Sequence, residues 1–105
     1  MAGNRNEKIQ EALRQTAAEF LARDAGPQSL ITVTATRLSE DGRRGLIFIT
    51  VLPESAEEPA LNFAQRNRAE LAPLFKKHIK GVSLPHIEFR IDFGEKSRHR
   101  LDELS

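Results

Sequence analysis

The chain contains no cysteine, tryptophan or tyrosine. Without thiols there is no disulfide framework, no thiolate metal site and no cysteine nucleophile. The same absence fits a reducing compartment. No apolar run approaches the roughly 20 residues that a membrane helix needs, and the N-terminus, MAGNRNEKIQ, is polar and lacks a signal-peptide pattern. A cytoplasmic protein with no membrane partner is therefore expected. An excess of one charge is missing too, since 16 Lys and Arg against 15 Asp and Glu leave a formal net charge of +1. Total charge thus says little about nucleic acid; only its distribution can.

Chemistry is the next absence. His78, His86 and His99 fall on a helix, a strand and the tail, with no His-x-x-x-His or His-Glu pairing that would hold a metal. Each reads as a solvated surface residue. The carboxylates are scattered, no serine stands in a nucleophile elbow, and neither a Walker loop nor a dinucleotide fingerprint is present. No catalysis, cofactor, metal or small-molecule substrate is expected. With 105 residues and no repeat, linker or low-complexity segment, the expectation is a single domain over 1–105. Its ordered core would run over about 6–93, with a polar tail over 94–105 in which Leu101 and Leu104 dock back as a short element.

Six elements are legible. Residues 6–23 carry Ile9, Leu13, Thr16 or Ala17, Phe20 and Leu21 at helical steps, with Asn6 as N-cap. Asp24-Ala25-Gly26-Pro27 stops that helix. Leu30–Arg37 alternates as a strand, with Thr32, Thr34 and Thr36 on one face and Ile31, Val33 and Ala35 on the other. Leu46–Leu52 is a nearly continuous apolar strand, covered at least in part on both faces. Ser55-Ala56-Glu57-Glu58 has the form of a capping box at the next helix start. His86–Phe93 alternates most cleanly, with Ile87, Phe89, Ile91 and Phe93 inward and His86, Glu88, Arg90 and Asp92 outward. The strand phenylalanines all read as core, so no aromatic stacking platform is expected.

Between the second and third strands lies LNFAQRNRAELAPLFKKHIK, Leu61 to Lys80. Ala60, Phe63 and Ala64 form one apolar face; Gln65, Arg66, Asn67 and Arg68 interrupt it before Leu71 resumes it, and beyond Pro73, Leu74, Phe75 and Ile79 form a second. A proline inside a helix removes a hydrogen bond and clashes with the preceding turn. The element should therefore break between Ala69 and Pro73, or Pro73 should open the second helix at its first position. Two short helices would then meet at a cationic joint whose free amides suit a phosphate. The same pattern also describes a solvated face on a kinked surface helix, with acid at its start and base at its end complementing the helix dipole.

The spacing Gly42-Arg43-Arg44-Gly45 matches the Gly-x-x-Gly signature of KH-type RNA-binding loops. That signature works between two helices, whereas here it lies between two strands, where Asp41-Gly42 turns a hairpin. Arg43 and Arg44 would touch phosphate only peripherally, from the hairpin tip.

The order helix, strand, strand, kinked helix pair, strand resembles the type II KH fold. Leu30-Ile31-Thr32-Val33-Thr34, then Ser39-x-Asp41, then Leu46 to Leu52 resembles the first two strands of the ribosome-binding factor A family. Leu84-Pro85-His86-Ile87-Glu88-Phe89-Arg90-Ile91-Asp92 is similar to that family's third strand, and Arg100-Leu101-Asp102-Glu103-Leu104 to its C-terminal segment. The resemblance implies an α+β, KH type II-like domain: one three-stranded mixed sheet covered on one face by helices. It further implies a monomeric, non-catalytic RNA-binding assembly factor that binds the 30S subunit, assists late 16S rRNA maturation and is associated with growth in the cold. The family's joint carries Ala-x-Gly. Here Ala64-Gln65-Arg66 or Asn67-Arg68-Ala69 takes its place, so the glycine is absent in either register, and the family's arginine before the third strand is Val82. Arg66, Arg68, Lys76, Lys77 and Lys80 would contact phosphates, with Arg43 and Arg44 at the periphery. The alternative is a KH-like protein-interaction module that has lost RNA binding, favoured by the missing glycine and the near-neutral charge.

Overall fold

Apolar residues at helical steps wind Ala2–Asp24 into α1, which buries Ile9, Ala12, Leu13, Thr16, Ala17, Phe20 and Leu21 along one stripe. The computed structural model describes residues 2–24 and 29–95. The expected Ala25-Gly26-Pro27 stop, and the expected docking of Leu101 and Leu104, lie outside those residues. Helix α1 begins before Asn6, which is therefore interior and not a cap. Gly3 and Asn4 are poor helix formers but cost only about 1 kcal/mol or less each, too little to stop a helix. The one buried polar residue of the stripe, Thr16, donates its hydroxyl to the Ala12 carbonyl at 2.6 Å.

Strands β1 (Leu30–Leu38) and β2 (Arg44–Leu52) form an antiparallel hairpin, and β3 (His86–Ile91) lies parallel to β2 on its other side. The sheet is mixed, in the order β1-β2-β3. Gly45, Ile47, Ile49 and Val51 of the central strand, with Ile87 and Phe89 of β3, face the helices. The Phe20 ring of α1 stacks on Phe63 at 6.0 Å and tilts against Phe89 at 6.3 Å, joining helix layer to sheet. Among the described residues no helix covers the other face.

Three strand expectations need correction. The pairing slips between Val33 and Ala35, a bulge at Thr34 that reverses the alternation beyond it. Thr36 thus lies on the helix side, donating its hydroxyl to the Gln10 carbonyl of α1 at 2.9 Å. Second, β3 ends at Ile91. Asp92 accepts the Glu95 N–H at 3.0 Å, as an N-cap does for the third helical residue, so a helical turn replaces the strand and leaves Phe93 68% exposed. Third, Phe48 is not core: it sits half-buried on the uncovered face with Leu46 and Thr50.

After β2, helices α2 (Glu57–Arg66) and α3 (Leu71–His78) are each entered through a three-residue 3-10 turn, Glu54–Ala56 and Arg68–Glu70. Each has proline as its third residue, Pro59 and Pro73. There the missing N–H belongs to the unpaired first turn, while the ring blocks an α-type bond back to Ser55 or Ala69, so the entry tightens to 3-10. The expected capping box at Ser55 does not form, for no side chain caps α2. Nor does Pro73 stand at the first helical position. The architecture is α+β and KH type II-like, as the element order implied.

Candidate nucleic-acid interface

The joint between α2 and α3 is made by Asn67. Its backbone N–H donates to the Phe63 carbonyl at 3.1 Å and its side-chain amide to the same oxygen at 2.9 Å, closing α2. Its own carbonyl accepts the Glu70 N–H at 3.0 Å, opening the 3-10 turn. The break thus begins at Asn67, two residues before the expected Ala69–Pro73 window, and runs into it through Glu70. Of the two registers left open, Asn67-Arg68-Ala69 stands at the turn. Asn67 has φ −105° and ψ 14°, and among the described residues only Gly42 and Gly81 have positive φ. The joint therefore uses no left-handed residue, which is why it needs no glycine.

Gln65 anchors the joint to the sheet. Strand β3 lies at the sheet edge, and the amides of His86 and Asp92 donate toward β2, so those of the odd residues between them face away. Gln65 meets that edge as a neighbouring strand would: its Nε2 donates to the Phe89 carbonyl and its Oε1 accepts the Phe89 N–H, both at 3.4 Å. Arg68 in turn donates to Gln65 Oε1 at 3.4 Å.

The seven expected phosphate contacts do not form one patch. Arg66 is exposed beside Ser55, Glu58, Asn62 and Gln65 on α2, and Arg68 projects from the joint itself. Lys76 and Lys80 line a separate groove with Ala72, Gly81 and Ser83, where α3 gives way to the segment leading into β3. Lys77 leans away toward α1, 3.9 Å from Glu19, which also pairs with His78 Nε2 at 3.0 Å. The histidine read as merely solvated thus ties α3 to α1.

Arg43 and Arg44 stand at the hairpin, as expected. Ser39 and Asp41 fix that turn: the Ser39 hydroxyl donates to Asp41 at 2.6 Å, the Asp41 carboxylate accepts the Arg43 N–H at 3.0 Å, and Gly42 adopts φ 74°. The Ser39 hydroxyl, with the Arg43 amide and charge, holds the Asp41 carboxyl below its ordinary value. Gly45 is wanted for closeness: a Cβ there would lie 2.9 Å from Ile87 Cδ1 and 3.3 Å from Leu13 Cδ1. Arg44 does not stand alone. It lines a trough of ≈ 540 Å³ on the uncovered face with Arg37, His86, Glu88 and Arg90. Sequence reading placed His86 and Arg90 outward but could not join them to Arg37 and Arg44, because that requires the strand register. Among the described residues no group of three or more histidines and carboxylates could hold a metal ion, and no helix is long and apolar enough to cross a membrane.

No family model matches the chain. Individual relatives do. Ribosome-binding factor A of Gemmatimonas aurantiaca is 27% identical over 104 residues, covering 95% of this chain and 71% of the relative. The crystal structure of ribosome-binding factor A from Thermus thermophilus superposes with a TM-score of 0.69 at 28% identity, covering 82% of this chain and 94% of that one. A homology model of the Thermus thermophilus factor, fitted into a cryo-EM map of a 30S complex, is 30% identical with a TM-score of 0.64, covering 75% and 86%.

Proposed function

The chain belongs to the ribosome-binding factor A family, and from that footing we propose that it is a non-catalytic assembly factor that binds the 30S subunit and assists late maturation of 16S rRNA. The observation that carries the reading is the likeness, at 30% identity, to a factor fitted into a map of its 30S complex. On this reading the protein acts in the cytoplasm as one folded domain, without cofactor or small-molecule substrate. The joint is the first contact surface of this reading. Arg66, Lys76 and Lys80 are exposed, form no ion pair among the described residues, and can turn to phosphates without losing an internal partner. Arg68 gives up only its long contact with Gln65. Lys77, drawn toward Glu19, is the weakest member. Phosphate contacts position a protein without reading sequence, so specificity would come from RNA shape and ribosomal surroundings.

Co-sedimentation with purified small subunits across a salt series tests it. Each phosphate contact displaces condensed counterions, so binding must weaken steeply as salt rises. Replacing Arg68 and Lys76 with alanine should weaken binding and flatten the slope by about one unit per lost contact. Thermal stability should hardly move, since exposed charges contribute about 1 kcal/mol at most. Unchanged binding in the double variant rejects these residues; a wild-type protein that ignores small subunits at low salt rejects the function and leaves the interaction-module reading in front.

A further inference from the structure

The uncovered face of the sheet holds a feature that the joint does not explain. On it, Arg37 of β1, Leu46 of β2 and Glu88 of β3 stand in one row, and Ala35, Phe48 and Arg90 in the next. Arg44 and His86 pair in the row beyond, at the hairpin end. Adjacent strands lie about 4.8 Å apart, so Arg37 and the β3 side chains form two walls about 10 Å apart. Leu46 is the floor between them, and the half-buried Phe48 stands in the adjoining row of the same face. Three guanidiniums face one carboxylate across this trough, a local excess in a protein whose total charge is only +1. Arg37, Arg44 and His86 make no side-chain hydrogen bond or ion pair among the described residues, and Arg90 is held against Glu88 at 3.2 Å.

Planar donors around an apolar floor, with an aromatic residue in the adjoining row, match a particular chemistry. Guanidinium forks suit phosphate oxygens, and a phenylalanine face in the middle of a sheet suits a base. A duplex offers no unstacked base to such a ring; a single strand does. We propose that this trough binds a single-stranded RNA segment, its phosphates on Arg37, Arg44 and Arg90 and a base against Phe48. It would be a second RNA surface, on the side of the sheet away from the joint, and it rests on the reading of the protein as an RNA-binding factor. An acidic protein surface would satisfy the arginines but has no use for the aromatic residue beside them.

The test uses the full chain with two probes, a fluorescein-labelled decauridylate read by anisotropy and purified small subunits read by co-sedimentation. The variants are Arg37→Ala with Arg90→Ala, Phe48→Leu, and Lys8→Ala on the exposed side of α1 as a charge control. Thermal unfolding verifies that each is folded. The arginine pair should weaken decauridylate binding at least tenfold and flatten its salt slope by roughly 1.4, at about 0.7 per single-strand phosphate. Phe48→Leu keeps an apolar side chain but loses the ring, and should cost about tenfold with the slope unchanged. Lys8→Ala should change neither. If the arginine pair binds RNA and subunits like Lys8→Ala, the trough proposal is overturned while the proposed function stands on the joint. If the wild type binds subunits but not decauridylate, and the arginine pair loses subunits, the trough faces protein and the RNA proposal is overturned. A wild type that binds neither probe at low salt overturns the function, and the trough with it.

Discussion

Asn67 turns the chain with one side chain. By donating twice to the Phe63 carbonyl it ends α2 in a conformation that any residue can adopt. Asn67→Ala should keep the fold but lose one net hydrogen bond, about 0.5–1.5 kcal/mol by denaturant titration. No loss would mean that the joint is held by its flanking packing alone. Phe89 is a different kind of residue: 1% exposed, against Phe20, with its own peptide paired to Gln65. Phe89→Ala should cost about 3–5 kcal/mol, a large share of a small domain's stability; a cost under about 1 kcal/mol would remove Phe89 from the core. Phe89 was legible because inward alternation on β3 is regular. Asn67 was visible only as one of four polar residues interrupting an apolar face. Pro73 drew the kink toward itself, although a proline at the third helical position needs no donor and merely tightens the entry.

At the scale of elements, periodicity located the three α-helices and three strands of the described residues but not the short turns between them, nor how strands register or end. The three alternating threonines of β1 look regular, yet the bulge at Thr34 moves Thr36 to the other face. Thr34 itself donates to the Asp92 carboxylate at 2.6 Å, reaching across β2 to the residue that caps the turn after β3. Neither contact can be read without the pairing, since the two residues lie 58 positions apart. The arginine trough was hidden for the same reason, its walls being drawn from the first and last strands. Gly45 shows how closely these elements meet. Gly45→Ala would press a methyl between Ile87 and Leu13 in the packed core, and overpacking of this kind costs about 1–3 kcal/mol. An unchanged unfolding midpoint would mean that α1 and β3 yield without strain.

For the whole molecule the decisive geometry is two layers. The joint in the helix layer and the trough on the sheet's other face lie on opposite sides of these layers and share no lining residue. Independent sites with no common partner contribute additively, within about 0.3–0.5 kcal/mol. If one continuous ribosomal RNA surface engages both layers, the losses in small-subunit binding from Arg66→Ala with Arg68→Ala and from Arg37→Ala with Arg90→Ala should sum in the quadruple variant. The short oligonucleotide should behave otherwise. Decauridylate bound in the trough should respond to the Arg37 and Arg90 pair and ignore the Arg66 and Arg68 pair. Equal sensitivity of the oligonucleotide to both pairs would mean that binding follows total positive charge and not two placed surfaces. A net charge of only +1 leaves little room for that outcome, because long-range attraction to RNA is then weak and the close contacts must supply the affinity.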